Sequence, residues 1–135
     1  NKSAGFCYRG STIMRENMIV LEAVFKLEKG IKEEIQAKMK ELTEQRNSKQ
    51  PVELPSAGST FKRPEGYFAA KLIDDSGLRG FKAGGAQVST KHCGFVVNTG
   101  GATAEDIITL MDKVTDIVME KFGVKLEPEV RIIGE

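Results

Sequence analysis

The stretch from Thr103 to Gly123 restricts the fold more than any other part of this chain. Ile107, Leu110, Met111, Val114, Ile117, Val118 and Phe122 recur at spacings that place them on one side of an α-helix over 103–122. Thr103 offers an N-cap oxygen, and Glu105 and Asp106 suit the positive end of the helix dipole. Lys121 and Gly123 mark the other end. A helix with so continuous an apolar stripe needs a second layer to cover it, so the rest of the sequence must supply one.

Three segments read as strands. Residues 18–28 end in period-2 alternation, with Val24, Lys26 and Glu28 set against Ala23, Phe25 and Leu27. Residues 81–98 read as two strands, FKAGGAQVS and GFVVNTG, around a polar turn. Gly84-Gly85 within the first of them signals a bulge or a close approach of another backbone. Residues 124–133 read as a last strand, placed at an edge or bent because Pro128 has no amide to donate. Two further helices are expected over 31–47 and 67–76, the first with Ile31, Ile35, Met39 and Leu42 on one side, the second closed by Gly77. Residues 52–66, rich in Pro and Gly, read as a long loop. Helices and strands do not alternate strictly, so the expected class is α+β, with helices packed on one face of a small, mostly antiparallel sheet. Residues 1–30 fit that core poorly and read as the end of another domain, leaving 31–135 as the domain proper.

Composition narrows the function. With 20 Lys plus Arg against 19 Asp plus Glu, the net charge of +1 gives no general pull on nucleic acid or on an anionic membrane. No apolar run approaches the roughly 20 residues of a membrane span. Two cysteines, Cys7 and Cys93, are too few for a disulfide framework and suit reduced thiols in a cytoplasmic protein. The start at Asn1, without Met or signal peptide, is expected of a processed or cut product.

No metal site stands out, because the one histidine, His92, is adjacent to Cys93 and has no second His-Cys pair. The loop Ser56-Ala57-Gly58-Ser59-Thr60-Phe61-Lys62-Arg63 is the most suggestive stretch. Its small residues let a ligand approach the backbone, and its hydroxyls and cations suit an anion. An ordinary turn accounts for it equally well, and its spacing is not that of a Walker motif. Glu127 and Glu129, two apart, point to one side if residues 124–133 are extended. Asp74-Asp75 reads as a solvated pair beside a turn, and GGAQVS lacks the spacing of a dinucleotide fingerprint.

Four segments in order, FCYRGS at 6–11, PSAGSTFKRP at 55–64, GGAQVSTKHCGFVVN at 84–98 and LEPEVRIIGE at 126–135, give the chain a family. It resembles the C-terminal part of the UDP-N-acetylenolpyruvoylglucosamine reductase (MurB) family of peptidoglycan synthesis. The resemblance implies that NADPH reduces FAD, and that a hydride then passes to the methylene carbon of an enolpyruvyl ether. An anionic enolate results, which donors must stabilise and an acid must protonate. It further implies catalytic roles for Ser59 as proton donor, Arg9 beside the substrate carboxylate and Glu129 as a hydrogen-bond donor. Substrate-binding roles are implied for Tyr8, Lys49, Arg63 and His92. FAD is expected to be held mainly by an N-terminal domain missing from this chain, so the fragment alone is expected to be inactive. The partners expected are that domain and a UDP-sugar substrate. Cys7 departs from the family's usual glycine, and residues 28–31 lack the tyrosine-bearing insertion of one subgroup. A stand-alone nucleotide-sugar binding module without catalysis is the second reading.

Overall fold

The computed structural model describes residues 2–134. Contacts divide the chain into two units, Asn1–Ile35 and Gln36–Glu135. The first contains a 3-10 turn at Lys2–Ala4 and a short helix α1 at Thr12–Arg15. The buried Ser11 caps α1 by accepting a hydrogen bond from the Met14 amide at 3.3 Å. Just before it, the amides of Cys7 and Gly10 each donate to the other's carbonyl, at 3.0 and 3.2 Å. That pair closes a tight turn with Tyr8 and Arg9 at its tip.

The strand expected over 18–28 does not form: residues 18–30 have no regular structure, and Ile19, Leu21, Val24, Phe25 and Leu27 are exposed. Alternation alone cannot make a strand. Its amides need a neighbouring strand and its apolar side needs a layer, and the described residues of this unit supply neither. Helix α2, Lys32–Lys49, follows and crosses the boundary between the units.

The second unit holds the layers that the sequence requires. Its sheet has four strands, β1 Ser56–Ser59, β2 Lys82–Ala83, β3 Ala86–Val88 and β4 Phe95–Asn98, in the order β1-β4-β3-β2. All its pairings are antiparallel. Helices α3, Ala69–Asp75, and α4, Ala104–Phe122, complete it. Leu110, Met111, Val114 and Val118 of α4 enter one core with Ala86, Val88 and Val96 of the sheet and Leu72 and Ile73 of α3. The α+β class with helices on a small antiparallel sheet is therefore the fold of this unit.

Local chemistry explains the boundaries. Thr103 and Asp106 form a capping box, in which the Asp106 amide donates to Thr103 Oγ1 at 3.1 Å and the Thr103 amide to Asp106 Oδ2 at 3.0 Å. Asp106 Oδ2 also accepts from the Gly85 amide at 3.2 Å, tying the helix start to the β2–β3 turn. These backbone donors at Thr103 and Gly85 hold the Asp106 carboxyl below its usual range. The Gly84-Gly85 pair is that turn, so residues 81–98 contain three strands, not two. The close approach is at Gly85, where an added Cβ would lie 2.5 Å from the Ala102 amide nitrogen. The loop expected over 52–66 contains β1, and the last strand over 124–133 is reduced to one bridge between Phe61 and Pro128. Proline's missing amide stops that pairing from extending.

Candidate functional site

The AGST stretch is built around an irregularity. β1 pairs Ser56 with Val97 and Ser59 with Phe95, so three steps along β1 oppose two along β4. The extra residue makes a β-bulge, and Gly58 at φ +84° provides the left-handed backbone it needs. Bulges re-aim side chains, and this one lies immediately before Ser59.

The bulge has a consequence in β4. Backbone groups of Phe95 and Thr99 face β3, as the Ser89 amide donates to the Phe95 carbonyl and the Thr99 amide to Gly85, both at 2.9 Å. Those of Gly94, Val96 and Asn98 face β1. The Thr60 amide donates to the Gly94 carbonyl at 2.8 Å, and the Asn98 amide to the Pro55 carbonyl at 2.9 Å. Between them the Val96 amide donates at 2.9 Å to the side-chain oxygen of Thr60. A side chain stands where a regular ladder would present a β1 carbonyl.

Thr60 also connects the far end of the chain. Its carbonyl accepts from the Glu129 amide at 2.8 Å, and the Lys62 amide donates to the Glu127 carbonyl at 2.8 Å. Buried Phe61 and Leu126 pin the two segments from within. Ser59 is exposed and Glu129 half-buried, so the backbone brings both candidates to the same edge of the sheet with side chains accessible. Beside them opens a cleft of about 300 Å3, lined by Pro55, Ser56, Ala57, Thr60, Val96, Asn98, Ile107, Met111 and Val130.

The remaining candidates divide. His92 adjoins this edge through Gly94, whose amide donates to His92 Nδ1 at 3.1 Å. With Nδ1 accepting, a neutral ring carries its proton on Nε2. The ring meets Phe95 edge-on at 5.1 Å. Arg63 places its guanidinium 3.9 Å from the centre of the Phe68 ring and donates from Nε to the Tyr67 carbonyl at 3.2 Å. It thus braces the approach to α3. Lys49 is exposed at the last position of α2. Tyr8 and Arg9 belong to the first unit, where the guanidinium lies 5.2 Å from the tyrosine ring centre. Arg9 has φ +51°, a conformation that costs a non-glycine residue roughly 1 kcal/mol or more.

Two features escaped the sequence. Thr60 is one hydroxyl among several in its loop, and only the glycine inside β1 hints at the bulge that gives it a special task. Asp74, read as half of a solvated pair, accepts a two-pronged ion pair from Arg79 at 2.9 and 2.7 Å. Arg79 also reaches the Thr90 carbonyl, and Cys93 Sγ lies 3.5 Å from Asp74 Oδ1. The Arg79 hydrogen bond holds the Asp74 carboxyl below its usual range. Burial, with the nearby carboxylate, pushes the Cys93 thiol up to about 11, which leaves it protonated and unreactive at neutral pH. The described residues contain no cluster that could hold a metal ion. No described helix is long and apolar enough to cross a membrane.

Residues 50–133, which include the bulged strand, its partner and the Glu129 segment, match the family described as UDP-N-acetylenolpyruvoylglucosamine reductase, C-terminal domain. The chain belongs to this family. Beyond that domain, it is 62% identical over 128 residues to the UDP-N-acetylenolpyruvoylglucosamine reductase of Lachnoclostridium phytofermentans, covering 95% of this chain and 41% of the relative. It is 53% identical over 135 residues to that of Caldanaerobacter subterraneus, covering 45% of the relative. The crystal structure of the Thermus caldophilus reductase matches with a TM-score of 0.75 and 37% identity, over 95% of this chain and 46% of that one. The chain thus spans less than half the length of these relatives.

Proposed function

We propose that this chain is the substrate-binding C-terminal part of a longer flavin-dependent reductase of peptidoglycan synthesis. That reductase converts UDP-N-acetylglucosamine enolpyruvate to UDP-N-acetylmuramate with NADPH. The observation that carries the reading is the hydrogen bond from the Glu129 amide to the Thr60 carbonyl. It sets the segments of the proposed acid and of its proposed carboxyl partner side by side, in a chain whose relatives are named as that reductase.

The cleft beside them does not fit FAD. Its lining has no cation for a diphosphate, and about 300 Å3 is at the small end of ligand sites. FAD, held by the rest of the longer protein, supplies the hydride. The roles proposed for this chain concern the substrate. Arg9 binds the substrate carboxylate with its planar fork and offsets the negative charge that hydride addition creates. Glu129, as a neutral carboxyl, donates a hydrogen bond to the same anion. Ser59 delivers the proton to the enolate carbon. A serine hydroxyl is a weak acid in water, but an enolate carbon is a strong enough base once geometry is fixed. Tyr8, Lys49, Arg63 and His92 contact the remainder of the UDP-sugar. Residues 28–31 run directly into α2, which favours the subgroup without the tyrosine-bearing insertion. A cytoplasmic location follows from the nucleotide-linked substrate.

Ser59→Ala in the longer reductase tests the reading. NADPH should bleach the flavin at the parent rate, while reoxidation by the enolpyruvyl substrate slows about 10²–10⁴-fold. Reoxidation within a few-fold of the parent would remove Ser59 as the donor. A tight UDP-sugar complex with no flavin chemistry in the longer protein would instead favour the binding module.

A further inference from the structure

We infer that Thr60 is a positioning residue for the reaction, acting through Ser59 and Glu129 and not on the substrate itself. The inference rests on the functional reading above. Three hydrogen bonds meet at this buried residue. Its amide goes to Gly94 at 2.8 Å, its carbonyl accepts from Glu129 at 2.8 Å, and its hydroxyl oxygen accepts from Val96 at 2.9 Å. The first two are backbone bonds that any residue can make. The third depends on the side chain.

The hydroxyl compensates for the bulge. Gly58 adds a residue to β1, which turns Ser59 relative to its neighbours but leaves the Val96 amide without a ladder carbonyl opposite it. A buried amide without an acceptor is costly, and β1 can relieve that cost only by shifting back toward a regular register. Such a shift would swing Ser59 toward the other side of the strand, because a one-residue slip exchanges the two sides. It would also move the carbonyl that holds Glu129. Thr60 Oγ1 removes the incentive to shift, and so fixes the aim of one proposed catalytic residue and the seat of the other.

The test uses the longer reductase with Thr60→Val and Thr60→Ser. Valine keeps the shape and removes the acceptor, whereas serine keeps the acceptor. Thr60→Val should leave flavin bleaching by NADPH unchanged and slow reoxidation by substrate about 100-fold, the effect of roughly 1 Å of misplacement. Thr60→Ser should stay within a few-fold of the parent. Hydrogen exchange supplies a readout apart from activity, since the Val96 amide should lose protection in Thr60→Val and keep it in Thr60→Ser. If Thr60→Val does not fold, Gly58→Ala decides. Its Cβ meets nothing within 4 Å, so it perturbs the bulge only through the backbone. Slower reoxidation with normal bleaching supports the inference, and unchanged reoxidation overturns it. Ser59→Ala run in parallel separates the two readings. If Ser59→Ala blocks reoxidation while a folded Thr60→Val reoxidises normally, Thr60 is only structural and the functional reading stands. If Ser59→Ala has no effect, the functional reading itself has failed.

Discussion

Helices α2 and α4 are nearly equal in length, 18 and 19 residues, yet they meet opposite fates. Both show apolar residues at helical spacing. α4 buries Leu110, Met111, Val114 and Val118, whereas α2 buries none, and Ile35, Met39 and Leu42 stay exposed. Helicity is a local property that good helix formers and ion pairs such as Lys38–Glu41 can sustain. Burial is a property of the surroundings. α4 has a sheet and a neighbouring helix to close on, and among the described residues α2 has no such partner.

Truncations across the two helices should give the widest contrast. Leu110→Ala removes a side chain with no exposed surface and should cost about 2–5 kcal/mol in denaturant unfolding. Met39→Ala should fall within roughly 0.5 kcal/mol of the parent. Comparable losses at the two positions would mean that α2 is covered in solution, and the contrast would collapse.

A smaller effect should come from the α4 cap. Thr103→Ala should cost about 1 kcal/mol. The partner carboxylate gives the contrast a pH dependence. Asp106 has a depressed folded pKa, so its contribution is complete above its unfolded value of 3.8 and is lost as the pH falls through the lower folded value. Asp106→Asn should therefore flatten this part of the acid limb of a stability-versus-pH curve. An identical acid limb in both proteins would assign the loss to other carboxylates.

The smallest effect belongs to α2. Lys38–Glu41 at 2.9 Å and Lys40–Glu44 at 3.9 Å are exposed pairs. Glu41→Gln should lower stability by less than ~0.5 kcal/mol, with the difference vanishing in high salt. A larger, salt-resistant loss would show that Glu41 is engaged elsewhere.

What could be read in advance follows the same division. Thr103, Asp106 and Gly123 marked the ends of α4 correctly, because a cap is decided by residues a few positions apart. The motif segments around Ser59 and Glu129 were visible as strings of residue types. Their nearness was not, since it depends on a backbone bond between Thr60 and Glu129 across 69 positions. The alternation over 18–28 read as a strand and formed none, because pairing needs a partner that no local pattern provides.

The sequence by itself determined the α+β class, the helix of α4 with its caps, and the need for a layer beneath its stripe. Periodicity and capping act over one or two turns, so neighbours in the chain suffice. Only the tertiary structure decided that Gly84-Gly85 is a turn pressed against Ala102, that β1 is bulged at Gly58, and that the Thr60 hydroxyl serves the Val96 amide. Each of these turns on where another segment's backbone lies, and a hydrogen bond or a clash a few ångströms long has no counterpart in the spacing of residues along the chain.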